Sequence, residues 1–429
     1  MPTGWRGRAE HAWGSLKKVH PDPLGRPGDY DEAEVAAMLR ELGIAMVEMQ
    51  TPTQMVRARL QQIAAQYTTR EVRVVAFPTT LIIQLGSHAH EVAVSTHGTA
   101  QLNVAERVDR IAVLATVGAI TPADALAEVV AARAVTPRFG PVLTLFGYVL
   151  TTLGFGVMIN PTWADLPGYV GLGAVVGLIV VFVGRIHSLA AVIPPLSAAV
   201  VTILATWFFA GVADEGLLLI IAPALVALLP GISLTVASME LASGATMAGA
   251  TRLVYAVVQL MLLVFGVAIG AAIAGRGSPH HPSAQMGGWS FYVAILVVSV
   301  GLYFYLSAPR GSLPWLAAAV AVALLGQKLG GTFLSPGHSG ALGAFLTVPF
   351  TLLATRLRGA PPPFVLLIAA FWSLVPGALS FETLTEAAAA GSSDLAELEV
   401  TVAAVFSIAL GTLIGWSVFT PLRRIVQHR

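Results

Sequence analysis

Hydrophobic positions divide the chain into two parts with different patterns. Before about residue 139, apolar residues recur at helical or alternating spacing among polar ones, as in "DEAEVAAMLRELGIAMVEM", which is typical of elements with one buried face. From Phe139 onward the chain is a series of nearly continuous apolar runs, several close to the ~20 residues that cross a bilayer as a helix. The pattern predicts a small α+β domain followed by an all-α, polytopic membrane body.

The first part is predicted to contain two helices, three strands and two further helices. Thr51-Pro52 and Thr121-Pro122 each combine an N-cap residue with a proline suited to a first helical turn. Three strand-like runs, "VRVVAF", "TTLIIQL" and "HEVAVST", are bounded by Pro78, Gly86 and Gly98. We assign this domain to residues 31–138, after a flexible leader of residues 1–30.

The membrane body is predicted to contain ten spans in two halves of five, residues 139–274 and 289–421, followed by a basic tail of residues 422–429. The loops between the spans are short. The approximate limits of the spans are 139–159, 168–184, 189–211, 216–243, 249–273, 289–308, 313–329, 339–356, 363–388 and 400–421.

A Pro-Gly pair followed by a glutamate occurs once in each half. Pro230, Gly231 and Glu240 are repeated as Pro376, Gly377 and Glu386, each 146 residues later. Both copies lie in the fourth span of their half. Because five spans per half is an odd number, the halves must insert in opposite orientations, which predicts inverted repeats. Such repeats are typical of secondary transporters, whose sites lie at interrupted helices near the membrane midplane.

The interrupted spans are predicted to form a substrate site. A Pro-Gly break frees amides at the start of the next helical segment, such as those from Ile232 to Leu234, and these attract an anion. Glu240 lies about 13 Å further along an ideal helix, so a zwitterion would need the carboxylate of one span and the break of the antiparallel other. The candidate substrate-binding residues are Pro230, Gly231, Ile232, Ser233, Ser243, Pro376, Gly377, Ser380 and Thr383.

Three titratable residues are candidates for proton coupling: Glu240, Glu386 and His338. A carboxylate inside a membrane costs several kcal/mol, so it usually has a function, and histidine titrates near neutral pH. The alternatives are ordinary ones. Pro-Gly kinks and small-residue faces also serve helix packing, Glu386 could lie at the outer surface, and His338 could be a plain loop residue.

Composition and charge agree with a membrane protein. Hydrophobic residues make up 56% of the chain and charged residues 11%, against about 25% in soluble domains, and the mean hydropathy is +0.77. A net charge of +1 does not indicate nucleic-acid binding, and without cysteines there is no disulfide or thiolate chemistry. No cofactor is predicted.

Basic residues predict that both termini face the cytoplasm of a cell (inner, plasma) membrane. The basic residues assigned to the inside are more numerous than the two assigned to outside loops, Arg276 and Lys328, which lie among acids such as Asp165. The residues assigned to the inside are Arg185, Arg252, Arg310, Arg356, Arg358, Arg423, Arg424 and Arg429.

Other features are interpreted structurally. His88, His90 and His97, with Glu91, could bind a metal, but a polar hairpin tip is the simpler interpretation. Pro194-Pro195 predicts a kink in the third span, and Asn160 a helix cap or bridge. The glycines of "GLGAVVG", "GVAIG" and "GTLIG" predict close helix packing.

The stretches "AFPTTLIIQLG", "ERVDRIAVLATVGAITPADALAEV" and "LLPGISLTVASMELASGATMAGATRLVYA" resemble the threonine/serine exporter (ThrE-type) family, from about Asp31 to the C-terminus. The resemblance implies export of L-threonine and L-serine driven by the proton gradient, with no enzymatic activity. It implies no set of binding residues. It also leaves homo-oligomers open.

Two alternatives come from the residues themselves. The same fold could carry another small solute, or the chain could be a membrane-anchored enzyme or sensor that acts through residues 31–138. The absence of a nucleophile–base pattern in that domain argues against the second alternative.

Overall fold

The computed structural model describes residues 22–93, 101–211, 216–275, 284–357, 359–374, 385 and 395–427. The chain forms two compact units. The first contains Met1–Thr136 together with Pro309–Trp315 and Val348–Leu367, and the second contains Pro137–Ala308, Leu316–Thr347 and Ile368–Arg429.

The first unit begins with the predicted order of two helices, three strands and two helices. The third strand starts two residues before the predicted run, which began at His90, so that His88 and Ala89 also belong to it. The elements are α1 (Glu32–Glu48), α2 (Thr53–Tyr67), β1 (Val72–Ala76), β2 (Thr80–Leu85), β3 (His88–Ala93), α3 (Leu102–Thr116) and α4 (Pro122–Arg133).

The strands form an antiparallel sheet in the order β1-β2-β3. Alternate residues of β2, namely Leu81, Ile83 and Leu85, are buried, as expected for a sheet with one face on a core. Helix α1 packs against β2. Gly43 of α1 makes this approach close, because a Cβ there would collide with the side chain of Leu81.

The N-cap side chain bonds to the first turn in two of the four helices α1–α4. Asp31 and Thr121 accept hydrogen bonds from the amides of Glu34 and Asp124, which satisfies donors that the first turn leaves free. The prediction for Thr51 is wrong. Helix α2 begins at Thr53, and its N-cap is Pro52, whose side chain makes no capping hydrogen bond.

The chain after residue 136 is helical wherever the structure describes regular structure in it. The helices are α5 (Pro141–Ile159), α6 (Leu166–Phe182), α7 (Ile193–Phe208), α8 (Leu218–Leu225), α9 (Gly231–Ala242), α10 (Thr246–Ala274), α11 (Ser290–Tyr305), α12 (Leu313–Gly330), α13 (Gly340–Ala354), α14 (Pro363–Leu374) and α15 (Leu395–Gln427). Short 3-10 turns at Val183–Arg185, His187–Leu189, Val226–Leu228 and Pro336–His338 join some of them.

These helices make the chain a multi-pass membrane protein. Within the described ranges, four segments are long and apolar enough to cross a bilayer: α5, α10, α12 and residues Val402–Phe419 of α15. The bent pair of α8 and α9 makes a fifth. Shorter apolar helices occupy the other predicted spans, and the count of ten spans stays a prediction.

Glycines bring several membrane helices into close contact, as predicted. Gly266 and Gly270 of α10 lie against Pro195 and Ala199 of α7, where a Cβ on either glycine would collide with a carbonyl oxygen. Because the residue number of the contacted residue in α7 rises with that of the glycine in α10, the two helices run parallel. Close backbone approach of this kind is the usual role of small residues in membrane helices.

The prediction of a kink at Pro194-Pro195 is wrong. Helix α7 begins at Ile193 and carries both prolines in its first turn. A first turn tolerates proline because its amides have no intrahelical acceptor. The prolines therefore start this helix and do not bend it.

Candidate functional site

The predicted interruption at Pro230-Gly231 is confirmed. Helix α8 ends at Leu225, a 3-10 turn follows, and α9 starts at Gly231, bent by 66° from the segment before it. Pro230 is the N-cap of α9 and its carbonyl oxygen accepts from the amide of Leu234 at 2.9 Å. This bond corrects the predicted set of free amides. The first-turn amides of α9 without an intrahelical acceptor are those of Gly231, Ile232 and Ser233.

The hydroxyl groups of α9 mostly bond to their own helix. Thr235 donates to the carbonyl oxygen of Gly231 at 3.0 Å and Ser238 to that of Leu234 at 3.0 Å. Ser243, a candidate substrate-binding residue, donates to that of Met239 at 2.6 Å. Such back-bonding satisfies a buried hydroxyl within the helix. Ser233 is buried near the start of α9.

Glu240 forms a buried ion pair with Arg252. The guanidinium Nε of Arg252 donates to Oε2 of Glu240 at 3.1 Å, and the two side chains are 7% and 1% exposed respectively. The pair joins α9 to α10. A tight turn, with Gly244 at φ +86°, connects these helices, and the amide of Ala245 bonds to the Glu240 carbonyl oxygen at 2.8 Å.

Close packing of α9 on α10 sets the geometry of this pair. A Cβ on Gly249 of α10 would come within 2.8 Å of the Ala237 carbonyl oxygen and the Leu241 amide nitrogen of α9. One turn further along α10, Arg252 reaches back to Glu240. Among the described residues, Nη2 of this buried guanidinium has no hydrogen-bond partner.

The assignment of Arg252 to an inside loop is therefore wrong. The residue lies within α10, six positions after its first residue, because the apolar run that forms this helix starts before the arginine. Lys328 also lies in a helix, the last turn of α12, with its ammonium nitrogen 4.6 Å from the ring centre of Phe291. Charge counting from the sequence treated both as loop residues.

His338 lies in the 3-10 turn before α13 and is exposed. Its Nδ1 is 2.7 Å from the hydroxyl oxygen of Ser335. The side chain is therefore not buried with Glu240. This placement favours the loop interpretation, and a role in proton coupling stays a proposal.

Several predicted site residues lie outside the described residues: Pro376, Gly377, Ser380, Thr383, Glu386 and His97. On β3, His88 and His90 are exposed and pair with Leu85 and Ile83. Across the described ranges, no group of three or more His, Cys, Asp or Glu residues could hold a metal.

A buried polar cluster between α5 and α6 was not predicted as a unit. Oδ2 of Asp165 accepts from Asn160 at 2.9 Å and from Thr162 at 2.7 Å, while the Tyr169 hydroxyl donates to the Asn160 carbonyl oxygen at 3.0 Å. Asn160 thus bridges two helices, as predicted, but Asp165 is fully buried rather than part of an acidic outer surface. The sequence signal was the polar run in "NPTWAD".

Comparison with known proteins identifies the family that this chain matches. A family model described as "putative threonine/serine exporter" matches residues 37–274, more than half of the chain. Relatives named pheromone-regulated membrane protein 10 are 32% identical over 142 residues in Candida albicans (strain WO-1) and 31% identical over 155 residues in Pichia sorbitophila. These matches cover 32% of this chain but only 13% and 14% of the relatives. No solved structure matches the chain.

Proposed function

The chain belongs to the threonine/serine exporter family, a family of transporters rather than enzymes, and from that membership we propose that it exports L-threonine and L-serine from the cytoplasm in exchange for protons. The site would lie in the cell membrane body, at the interrupted helix and Glu240. Both termini would face the cytoplasm.

One observation carries this proposal: a carboxylate, Glu240, is buried in a membrane helix that begins at a Pro-Gly break. Buried carboxylates in membrane helices are costly and usually mark ion or substrate pathways. Interrupted helices are where secondary transporters bind their substrates. The two features occur together in α9.

The proposed architecture is two inverted five-span repeats, and the packing of α5 against α11 supports it. Gly147 lies against Tyr305, and Gly154 lies against Val298. The residue number of the contacted residue in α11 falls as that of the glycine in α5 rises, so these helices are antiparallel. They are the first predicted spans of the two halves, and corresponding spans of inverted repeats must run in opposite directions.

A second packing relationship supports the same architecture. A Cβ on Gly266 would collide with the carbonyl oxygen of Pro195, and a Cβ on Gly411 would collide with that of Ala341. The glycines are 145 residues apart and their partners 146 apart, close to the offset of 146 between the two Pro-Gly motifs. Spans three and five of one half therefore make the contact that spans eight and ten make in the other.

The remaining site assignments belong to the same proposal. Residues of both breaks would line the substrate path, and Glu240, Glu386 and His338 would carry or relay protons. The path residues are Pro230, Gly231, Ile232, Ser233, Ser243, Pro376, Gly377, Ser380 and Thr383.

Efflux of labelled threonine from proteoliposomes tests the function. We expect a pH gradient to drive efflux by the unaltered protein and Glu240→Gln to abolish the response to the gradient. Glu128→Gln, which changes an exposed carboxylate of α4, is the matched control and should behave like the unaltered protein. Full pH-driven efflux by Glu240→Gln would overturn the coupling role, and absence of threonine transport by the unaltered protein would overturn the function.

The proposed orientation has its own test. The chain has no cysteines, so single cysteines can be introduced and labelled from one side of the membrane. Glu128→Cys should react with an impermeant reagent only from the cytoplasmic side, and Trp163→Cys, exposed between α5 and α6, only from the outside. Labelling of both from the same side would contradict the orientation.

A further inference from the structure

We propose that Arg252 binds the carboxylate of the transported amino acid while Glu240 binds its ammonium group. The inference rests on the proposed transport function and deepens it, because it assigns both charged groups of a zwitterion to one pair of side chains. Arg252 would then be a binding residue of the site.

The geometry of the guanidinium carries the inference. Nε and Nη2 lie on the same edge of the arginine fork, the edge that a carboxylate engages with two parallel hydrogen bonds. Glu240 engages Nε at 3.1 Å, whereas Nη2 is buried and has no hydrogen-bond partner in the part of the chain that the structure describes. The guanidinium therefore retains an unused donor on the edge best suited to a carboxylate.

An unused donor on a buried charged group is unusual. Buried polar groups are nearly always hydrogen-bonded, and exceptions call for an explanation such as a binding role. The Arg252 side chain is only 7% exposed, so bulk water does not replace the missing partner. A ligand carboxylate that enters beside Glu240 would supply it.

The charges of the pair match those of a free amino acid. Paired with each other, Arg252 and Glu240 are neutral, which avoids a lone buried charge. When a zwitterion enters, its carboxylate takes the edge of Arg252 and its ammonium group faces Glu240. One ion pair is exchanged for two, and the site stays neutral in both states.

The position of the Arg252–Glu240 pair explains why the helix break and Glu240 alone could not bind both charged groups of one amino acid. Glu240 lies nine residues after Gly231 on α9, about 13 Å along the helix axis. The carboxylate and ammonium groups of an α-amino acid are both bonded to the α-carbon and cannot span that distance. Arg252, on the neighbouring helix, offers the cationic partner at the same level as Glu240.

A counterflow assay with labelled threonine in proteoliposomes tests the inference, with three unlabelled competitors. These are threonine, the amine that lacks its carboxylate, and the hydroxy acid that lacks its amine. We expect only threonine to compete strongly with the unaltered protein. Arg252→Lys should raise the half-saturating concentration about tenfold or more, which corresponds to about 1.4 kcal/mol, because an ammonium group lacks the planar fork. Arg252→Gln should lose exchange.

Arg310→Gln is the matched control, since Arg310 is exposed in the turn between α11 and α12. It should leave the half-saturating concentration unchanged. The competitor panel needs no variant, so it tests the inference even if an Arg252 variant fails to fold. Two results would overturn this inference but not the proposed function. One is inhibition of threonine exchange by the amine as strong as that by threonine itself, and the other is an unchanged half-saturating concentration in Arg252→Gln. No threonine exchange by the unaltered protein would overturn the proposed function as well.

Discussion

Gly266 of α10 lies so close to Pro195 of α7 that a Cβ on the glycine would collide with the proline carbonyl oxygen. The contact is between backbones, so no side-chain rotation can relieve it. The absence of a side chain at position 266 is therefore a packing requirement.

Gly266→Ala should destabilise the protein by about 1–3 kcal/mol, the usual cost of overpacking, although alanine favours helices. Thermal unfolding in detergent measures this effect. The control is Gly140→Ala, where a Cβ meets nothing within 4 Å. Equal stability of the two variants would contradict the close packing of α7 and α10.

The buried ion pair predicts strongly coupled substitutions. Arg252→Gln or Glu240→Gln alone leaves one buried charge without its opposite, which typically costs about 3–5 kcal/mol. The double variant removes both charges and should cost clearly less than the sum of the two. Denaturant or thermal unfolding of all four proteins measures the coupling. Additive costs would indicate that the two side chains do not interact.

Tyr67 predicts a loss of stability at high pH. Its hydroxyl donates to the Ile120 carbonyl oxygen at 2.7 Å within the first unit. Burial, with a smaller contribution from nearby Tyr30, raises the pKa of Tyr67 from 10.0 to about 12. The neutral phenol therefore contributes stability that is fully present below pH 10 and is lost as pH rises through about 12.

Tyr67→Phe tests this linkage. The variant should be less stable at neutral pH by about 1–3 kcal/mol, because the Ile120 oxygen loses its donor. Its stability should fall less steeply than that of the unaltered protein between pH 10 and 12. Unfolding measured across this range compares the slopes, and parallel slopes would contradict the raised pKa.

Arg133 predicts a salt-sensitive link between α4 and α1. Its guanidinium lies 2.8 Å from Glu41 and 2.6 Å from Glu48, and these carboxylates raise the pKa of Arg133. Arg133→Ala should destabilise the protein by about 1 kcal/mol, and less at high salt, because solvent and ions screen a partly exposed network. Arg73→Ala removes an exposed pair with Glu71 and should cause no measurable change. Equal losses of stability in Arg133→Ala and Arg73→Ala would contradict the ion-pair network of Arg133, Glu41 and Glu48.

Backbone chemistry explains what was predictable along the chain. Proline has no amide hydrogen, so the break at Pro230-Gly231 and the helix start at Thr121-Pro122 follow from residue type. The length and hydropathy of each apolar run likewise predict where an apolar helix forms. Thr51 was harder to assign, since an adjacent proline can occupy either the N-cap or the first turn.

The sequence by itself determined that this is a membrane protein with a helix interrupted at Pro230-Gly231 and a carboxylate in the apolar segment that follows, since those properties depend on local composition and on proline and glycine. Only the tertiary structure decided that Arg252 is a buried partner of Glu240 rather than a loop cation. The two residues are twelve positions apart on different helices, and their pairing depends on the turn at Gly244 and on the contact at Gly249. Hydropathy sets where a helix runs, whereas the partner of a charged side chain depends on how two helices pack.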